Sequence, residues 1–333
     1  MAKKIAIDLG TANSLVLVKG KGIVLDEPTV VAVSLDDRRV LAIGNQAKEM
    51  LGKVPGNIVA RRPLKQGVIA SYKLTEALLT ALINRAIGTT RFFKPEVMIS
   101  VPAGLTSVEE RAVTEAAVAA GAGKVYLIPE PIAAGIGAEL PVSSSAGNMI
   151  VNMGGGTSEI AIISLNGIVT SQSKRVAGDA INEAIVQYAR RKFSLLIGEQ
   201  MAEKIKIEIG SAIYVDSPAE MEVRGRDSNT SQPKAIILNS NDILPPIQEI
   251  LLDIIGAVKQ VLENTPPELA SDVIDRGMVL SGGTAALENI DELFTEKIGV
   301  PAHVVDDPIH AVIRGLGKAL DNLDILRRSM KVA

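Results

Sequence analysis

The chain has no cysteine and no tryptophan, and aromatic side chains make up only 2% of its 333 residues. Without cysteine there is neither a disulfide nor a thiolate metal site, and two histidines leave little for an imidazole site. With so few rings, the core must be assembled from Ile, Val, Leu and Ala. No apolar run approaches the roughly 18 residues that a membrane-spanning helix needs. The N-terminal MAKKIAIDLG passes from two lysines straight into a strand pattern, without the apolar stretch of a signal peptide, so a cytosolic chain is expected. A basic excess is also missing. Thirty-five Lys+Arg stand against 38 Asp+Glu, for a formal charge of -3, which argues against a nucleic-acid partner.

What is present is length and apolar content, 47% hydrophobic, enough for two compact units. Ile5–Asp8 and Ser14–Val18 read as short strands around a turn, and Val30–Leu35 with Arg39–Ile43 as another pair. Leu74–Ile87 has helical spacing, with Thr75 fitting the N-cap region. A strand at Glu96–Val101, a helix at Thr106–Ala120, a strand at Val125–Ile128 and a small-residue helix at Pro131–Leu140 follow. Then the pattern restarts. Met149–Val151 and Glu159–Ile163 form a second strand pair around a Gly-rich turn, followed by helices at Asp179–Lys192, Glu199–Ile209 and Asn241–Asn264. A strand at Gly277–Leu280 and a helix at Ile309–Leu320 complete the order.

The restart is an internal repeat. Ile-Ala-Ile-Asp8-Leu-Gly10-Thr-Ala-Asn-Ser14 aligns with Met-Ile-Val-Asn152-Met-Gly154-Gly-Gly-Thr-Ser158, and Ala134-Gly135-Ile136-Gly137 with Arg314-Gly315-Leu316-Gly317. The second pair lies at a larger offset, so the second half carries an insertion such as Ser211–Asn239. Chance likeness between Gly- and Ala-rich segments is the plain alternative, but two motifs in the same order favour two similar α/β lobes facing each other.

Both hairpin turns, Gly10-Thr11-Ala12-Asn13 and Gly154-Gly155-Gly156-Thr157, tolerate unusual backbone angles and can aim consecutive N–H groups at an anion. No G-x-x-x-x-G-K-[ST] run and no strand-linked G-x-G-x-x-G occurs. One such hairpin is more often only a tight turn. Two related ones, each preceded by an acid or its amide, suit a pair of phosphate loops gripping one nucleotide. A side chain at Gly155 is expected to fill the phosphate's place. Asp8, at a strand end, is placed to take Mg²⁺ through water.

These segments, with Glu130-Pro131-Ile132-Ala133-Ala134 and Gly282-Gly283, resemble the five-part signature of the actin, sugar-kinase and heat-shock-chaperone ATPases. Longer strings, DEPTVVAV from Asp26, KIKIEIGSA from Lys204, EVRGRD from Glu222 and TPPELASDVIDRG from Thr265, resemble the MreB family of bacterial cell-shape actins, over nearly the whole chain. The resemblance implies an actin-like duplicated ATPase fold, two lobes each with a mixed sheet flanked by helices, and ATP or ADP with Mg²⁺ in the cleft between them. The first lobe would comprise 1–140 plus 309–333, with an insert at about 33–70. The second would comprise 141–308, with an insert at about 181–242. Thr11, Ala12 and Asn13 resemble the first phosphate loop, and Gly155, Gly156 and Thr157 the second. Glu203 and Lys206, one helical turn apart, resemble the adenosine clamp, although on spacing alone they read as a surface ion pair. Gly283, Thr284, Ala285 and Ala286 resemble the adenine-side loop, with Thr284 where the family usually has a third glycine. Glu130 would orient the attacking water, and Thr157 would hold the water or metal network. The family expects Asp where Asn152 stands. Asn keeps the shape and one acceptor but no charge, so nucleotide binding should survive while hydrolysis is slow.

Arg91-Phe92-Phe93-Lys94 places half of the chain's four phenylalanines side by side between cations. Packing under a loop is the ordinary reading. The flanking charges suit an interfacial anchor on anionic lipid, and the family resembles this with an apolar insertion loop at this place. The expected function is a filament at the inner face of the cytoplasmic membrane, in company with cell-shape and wall-synthesis membrane proteins. The alternative is a soluble actin-fold ATPase, kinase or scaffold that does not polymerise.

Overall fold

The computed structural model describes residues 2–37, 39–89, 92–323 and 331–332. Two sheets dominate, and they repeat one plan. In the first, Lys4–Leu9 pairs antiparallel with Asn13–Val18 and parallel with Glu96–Val101. Gly22–Pro28 extends the hairpin side, Lys124–Pro129 extends the parallel side, and Lys331–Val332 closes that edge. In the second, Asn148–Met153 pairs antiparallel with Ser158–Ser164 and parallel with Met278–Ser281; Gly167–Lys174 and Ala302–Val304 take the corresponding edges. The expected strand pairs are all present. The two edge strands, Gly22–Pro28 and Gly167–Lys174, are additions that the sequence reading did not contain. Both are half-exposed, and their apolar stretches are short, Ile23, Val24 and Leu25 in one and Ile168 and Val169 in the other.

The central strands are buried on both faces, all six residues of Asn148–Met153 among them, because helices cover the sheets. Tyr72–Ile87 and Ser107–Ala119 cover one face of the first sheet. The former starts earlier than its periodicity suggested, with Ser71 at the N-cap; Thr75 lies within the helix and its hydroxyl donates to Ser71 O at 2.9 Å. Thr106 and Glu109 form a capping box for the latter. In the second lobe, Gly178–Phe193, Glu199–Ile209 and Ser240–Glu263 enclose the largest apolar cluster.

A third cluster is shared by both sheets, with Met98 and Ile128 from one, Ile150 and Ile163 from the other, and Ile132, Val312 and Leu316 from two crossing helices. Those helices are Glu130–Gly137 and Ala311–Asp321. A Cβ at Gly137 would run into Ala311 O, and one at Gly315 into Ala133 O, so the crossing is backbone against backbone. A Cβ at Gly135 would lie 3.1 Å from Ile163 of the second sheet, and one at Gly317 2.8 Å from Leu17 of the first. Each repeated helix therefore packs on the other repeat's hairpin, which welds the lobes at their base.

Each half also carries a small three-stranded sheet. Val31–Ser34, Val40–Ile43 and Ile58–Arg61 belong to the first half, with helix Asn45–Met50; Leu195–Leu196, Glu220–Asp227 and Pro233–Asn239 belong to the second.

Candidate functional site

The two hairpin turns meet between the sheets. In the first, Thr29 holds the turn: its hydroxyl donates to Gly10 O at 2.7 Å, its N–H donates to Ala12 O at 2.8 Å, and Ser14 Oγ lies 2.8 Å from its Oγ1. In the second, Gly154 N–H donates to Thr157 O at 2.9 Å. The first N–H groups of helix Gly178–Phe193 then donate to Gly154 O at 3.2 Å and to Gly155 O at 2.8 Å. The turns touch. A Cβ at Gly155 would sit 2.6 Å from Ala12 Cβ, and one at Gly156 would meet Thr11 Oγ1. A side chain at Gly155 would thus press on the facing turn as well as take up space in the cleft that the residue lines.

Asp8, Gly10, Thr11, Ala12 and Asn13 line a cavity of about 110 Å³ together with Glu130, Asn152, Gly154, Gly155, Gly156, Thr157, Gly282 and Gly283. A second cavity of about 350 Å³ shares the wall at Ala12, Asn13, Gly154, Gly155 and Gly283 and is lined further by Glu203, Lys206, Thr284 and Ala286. Ala285 does not face this space; it is buried in the second lobe's core. Thr284, where the resemblance leads one to expect glycine, donates its hydroxyl to Gly154 O at 2.8 Å and so ties the Gly283–Ala286 segment to the second turn.

Two acids, Asp8 and Glu130, line the smaller cavity, and the charge of a third, Glu159, reaches Glu130. Burial pushes the Asp8 carboxyl up to about 6, against a hydrogen bond from Ser100 Oγ at 2.8 Å and with a small addition from Asp26. Burial, then the charges of Glu159 and Asp8, hold Glu130 well above the usual carboxylate range. Burial also raises Glu159, although Ser173, Ala103 and Thr157 hydrogen-bond to it. Each is costly as an anion, and a cation placed among them would favour their ionised forms. Asn152, 3% exposed, is fully engaged: its Nδ2 donates to Glu130 Oε2 at 3.5 Å and its Oδ1 accepts from Ser281 Oγ at 3.1 Å.

Glu203 and Lys206 both face the larger cavity, yet neither pairs with the other. Glu203 bridges to Lys48 at 2.9 Å, and Lys206 Nζ donates to Gly178 O at 3.0 Å, its pKa lowered by burial. The Lys48 contact belongs to a set the sequence did not reveal. Arg62 bonds Glu199 at 3.0 Å and lies 3.7 Å from Asp179, and Gln200 Nε2 donates to Lys48 O at 2.9 Å. These contacts join the first half's small sheet and helix Asn45–Met50 to the helices Glu199–Ile209 and Gly178–Phe193 of the second. Only the cationic spacing could have hinted at them. Asn182 was also missed. It lines the larger cavity and its buried Oδ1 lacks a partner, an acceptor that a ligand N–H or O–H would satisfy.

Away from the cleft, Phe92 and Phe93 are 98% and 66% exposed, beside an exposed Lys94, so they do not pack under a loop. Arg91 lies outside the described residues. Among the described residues, no helix is long and apolar enough to cross a membrane.

Comparison with known proteins places this geometry. The MreB/Mbl protein family model matches residues 2–328. The cell shape-determining protein MreB of Escherichia coli strain K12 is 52% identical over 327 residues, covering 96% of this chain and 94% of that one. The cell shape-determining protein Mbl of Bacillus subtilis strain 168 is 47% identical over 325 residues, covering 98% of each. The crystal structure of MreB5 of Spiroplasma citri bound to AMPPNP superposes with a TM-score of 0.93 at 33% identity, covering 97% of both chains, and an ADP-bound structure of MreB5 does so equally. The MamK double helical filament shares the fold, with a TM-score of 0.80 at 20% identity over 96% of this chain and 99% of that one. With two lobes of one repeated plan, paired turns in contact across the cleft and this match along nearly its whole length, the chain belongs to the MreB/Mbl family of actin-like proteins.

Proposed function

We propose that this protein binds ATP between its lobes, hydrolyses it slowly, and polymerises in the ATP-bound form into filaments attached to the inner face of the cytoplasmic membrane. There the filaments would organise wall synthesis and keep the cell rod-shaped, together with cell-shape and wall-synthesis membrane proteins. The observation that carries this reading is the contact of two glycine-rich turns from two sheets, with the acids at one end of the cleft and the wider cavity at the other. Turns of this kind hold phosphate oxygens on backbone N–H groups. MreB5, of the same family, carries AMPPNP or ADP in its structures, and relatives at 47–52% identity are named for cell shape. On this reading the lobes are 1–140 with 309–333, and 141–308.

Mg²⁺ fits the polar end. Among the described residues no cluster of three or more acid, histidine or cysteine side chains forms a cage, but Asp8 has one oxygen engaged by Ser100 and the other uncommitted. A cation that keeps most of its waters needs little more than one carboxylate and the phosphates themselves. When bound, it would offset charge on the transferring phosphoryl group. Glu130 orients the attacking water and Thr157 faces the same space; positioning is the main demand of phosphoryl transfer. Glu203, Lys206 and the Gly283–Ala286 loop hold the adenosine end. A scaffold that binds nucleotide without turnover is the second reading, favoured by the neutral Asn152.

Isothermal calorimetry with Mg-ATP tests the core of this reading. One site is expected, and Gly155→Val should abolish or greatly weaken it by separating the turns. No heat of binding in the unaltered chain would overturn it.

A further inference from the structure

Helix Glu199–Ile209 belongs to the second half, yet residues of the first half grip its opening turns. Gln200 Nε2 donates to Lys48 O at 2.9 Å, Arg62 pairs with Glu199 at 3.0 Å, and Lys48 Nζ stands 2.9 Å from Glu203 Oε2. Lys48 lies in helix Asn45–Met50 of the first half. Glu203 lines the larger cavity, and its Oε1 takes no hydrogen bond from a described residue. One carboxylate thus has one oxygen held by the opposite half and the other left for a ligand in the cavity.

The two side chains are 35% and 23% exposed, and an ion pair so open to water contributes little to stability. Its effect is on orientation. A free glutamate samples several rotamers, whereas one pinned by a lysine presents its remaining oxygen in a fixed direction. An ionised acceptor also makes the stronger hydrogen bonds. The donor it would meet follows from its place on the helix. Lys206, one turn on and on the same face, is anchored to Gly178 O, and the Gly178 N–H donates to Gly154 O of the second turn. The part of a nucleotide adjoining its phosphates is the ribose, whose two hydroxyls are donors.

We propose that Lys48 is a positioning residue for nucleotide binding: reaching from the first half, it holds Glu203 by one oxygen so that the other accepts from the ribose hydroxyls. This rests on the reading of the larger cavity as the adenosine end of an ATP site. Lys48 does not line that cavity; it acts through Glu203. Because the pair joins the two halves, the ribose acceptor is complete only while the halves are together.

The test compares ATP with 2′,3′-dideoxy-ATP by calorimetry, with Mg²⁺ present, in the unaltered chain and in Lys48→Met, which keeps most of the side chain's length and removes its charge. The unaltered chain should prefer ATP by at least about 10-fold, roughly what one hydrogen bond to a charged group adds to an affinity. In Lys48→Met, ATP should bind about 5-fold more weakly and the dideoxy nucleotide as before, so the preference shrinks to within about 3-fold. Lys48→Arg, which keeps the charge, should restore most of the preference. In the Glu203→Gln chain, Lys48→Met should add little, because both act on one contact. Should Lys48→Met not fold, Lys48→Gln takes its place with the same expectation. Equal losses for both nucleotides would make the pair a tie between the halves only, and an unchanged preference, or none in the unaltered chain, would likewise overturn the positioning role. Absent ATP binding in the unaltered chain would instead remove the nucleotide site itself, and this role with it.

Discussion

At position 152 a neutral amide occupies a buried point between Ser281 and Glu130, accepting from the one and donating to the other. Exchanging that amide for a carboxylate would add negative charge where Asp8, Glu130 and Glu159 are already pushed towards their neutral forms by burial. Two effects of Asn152→Asp follow. In the presence of Mg-ATP the added charge attracts the cation, and phosphate release should rise, by about 10-fold or more. Without ligand, the new group and Glu130 both have folded-state pKa values above their unfolded ones. Their neutral forms are favoured in the fold, so the cost is absent at low pH and appears as pH rises through those raised values. Melting at pH 5 and pH 8 should therefore show a loss for the variant that is larger at pH 8 and is relieved by Mg-ATP. An unchanged turnover rate would remove Asn152 as the cause of slow hydrolysis. None of these contacts was legible in the sequence, which showed only that an acid's amide stood at the repeat position of Asp8. The partners, Ser281 and Glu130, are brought in by a parallel strand and a distant helix.

The two crossing helices decide how the lobes are joined. At Gly137 and Gly315 no Cβ can be added without moving a backbone carbonyl of the partner helix. Gly315→Ala should cost about 1–3 kcal/mol, the usual penalty for overpacking a close contact, and lower the melting temperature by roughly 2–4 °C per kcal/mol for a chain of this order of size. An unchanged melt, read by circular dichroism, would mean the crossing is loose. At this scale much was readable. The paired hairpins stand where the short apolar runs around each turn put them, and Glu199–Ile209 and Glu96–Val101 have the expected bounds, because their sequences carry a clear apolar pattern and end on breakers. The third strand of each sheet was not, since an edge strand with one wet face needs few apolar residues. The Lys48–Glu203 and Arg62–Glu199 contacts were not either: each joins segments far apart in sequence.

For the whole molecule, position matters as much as chemistry. Phe92 and Phe93 are exposed and do not line the cleft, so the proposed lipid binding and nucleotide binding should separate by mutation. Burying one ring contributes roughly 1.5–3 kcal/mol and each nearby cation about 1 kcal/mol on anionic lipid. Association costs several kcal/mol, so one subunit should bind only marginally and a filament repeating the loop should bind firmly. Flotation with anionic liposomes should depend on assembly, fall with salt, and vanish in Phe92→Ser/Phe93→Ser while ATP binding persists; equal flotation of the double variant would remove the anchor. The claim on which all of this depends is ATP-driven assembly, and sedimentation against protein concentration tests it most directly. With Mg-ATP the protein should pellet above a critical concentration, and without nucleotide, or as Gly155→Val, it should stay in the supernatant. A chain that binds ATP yet remains in the supernatant at every concentration would contradict the account.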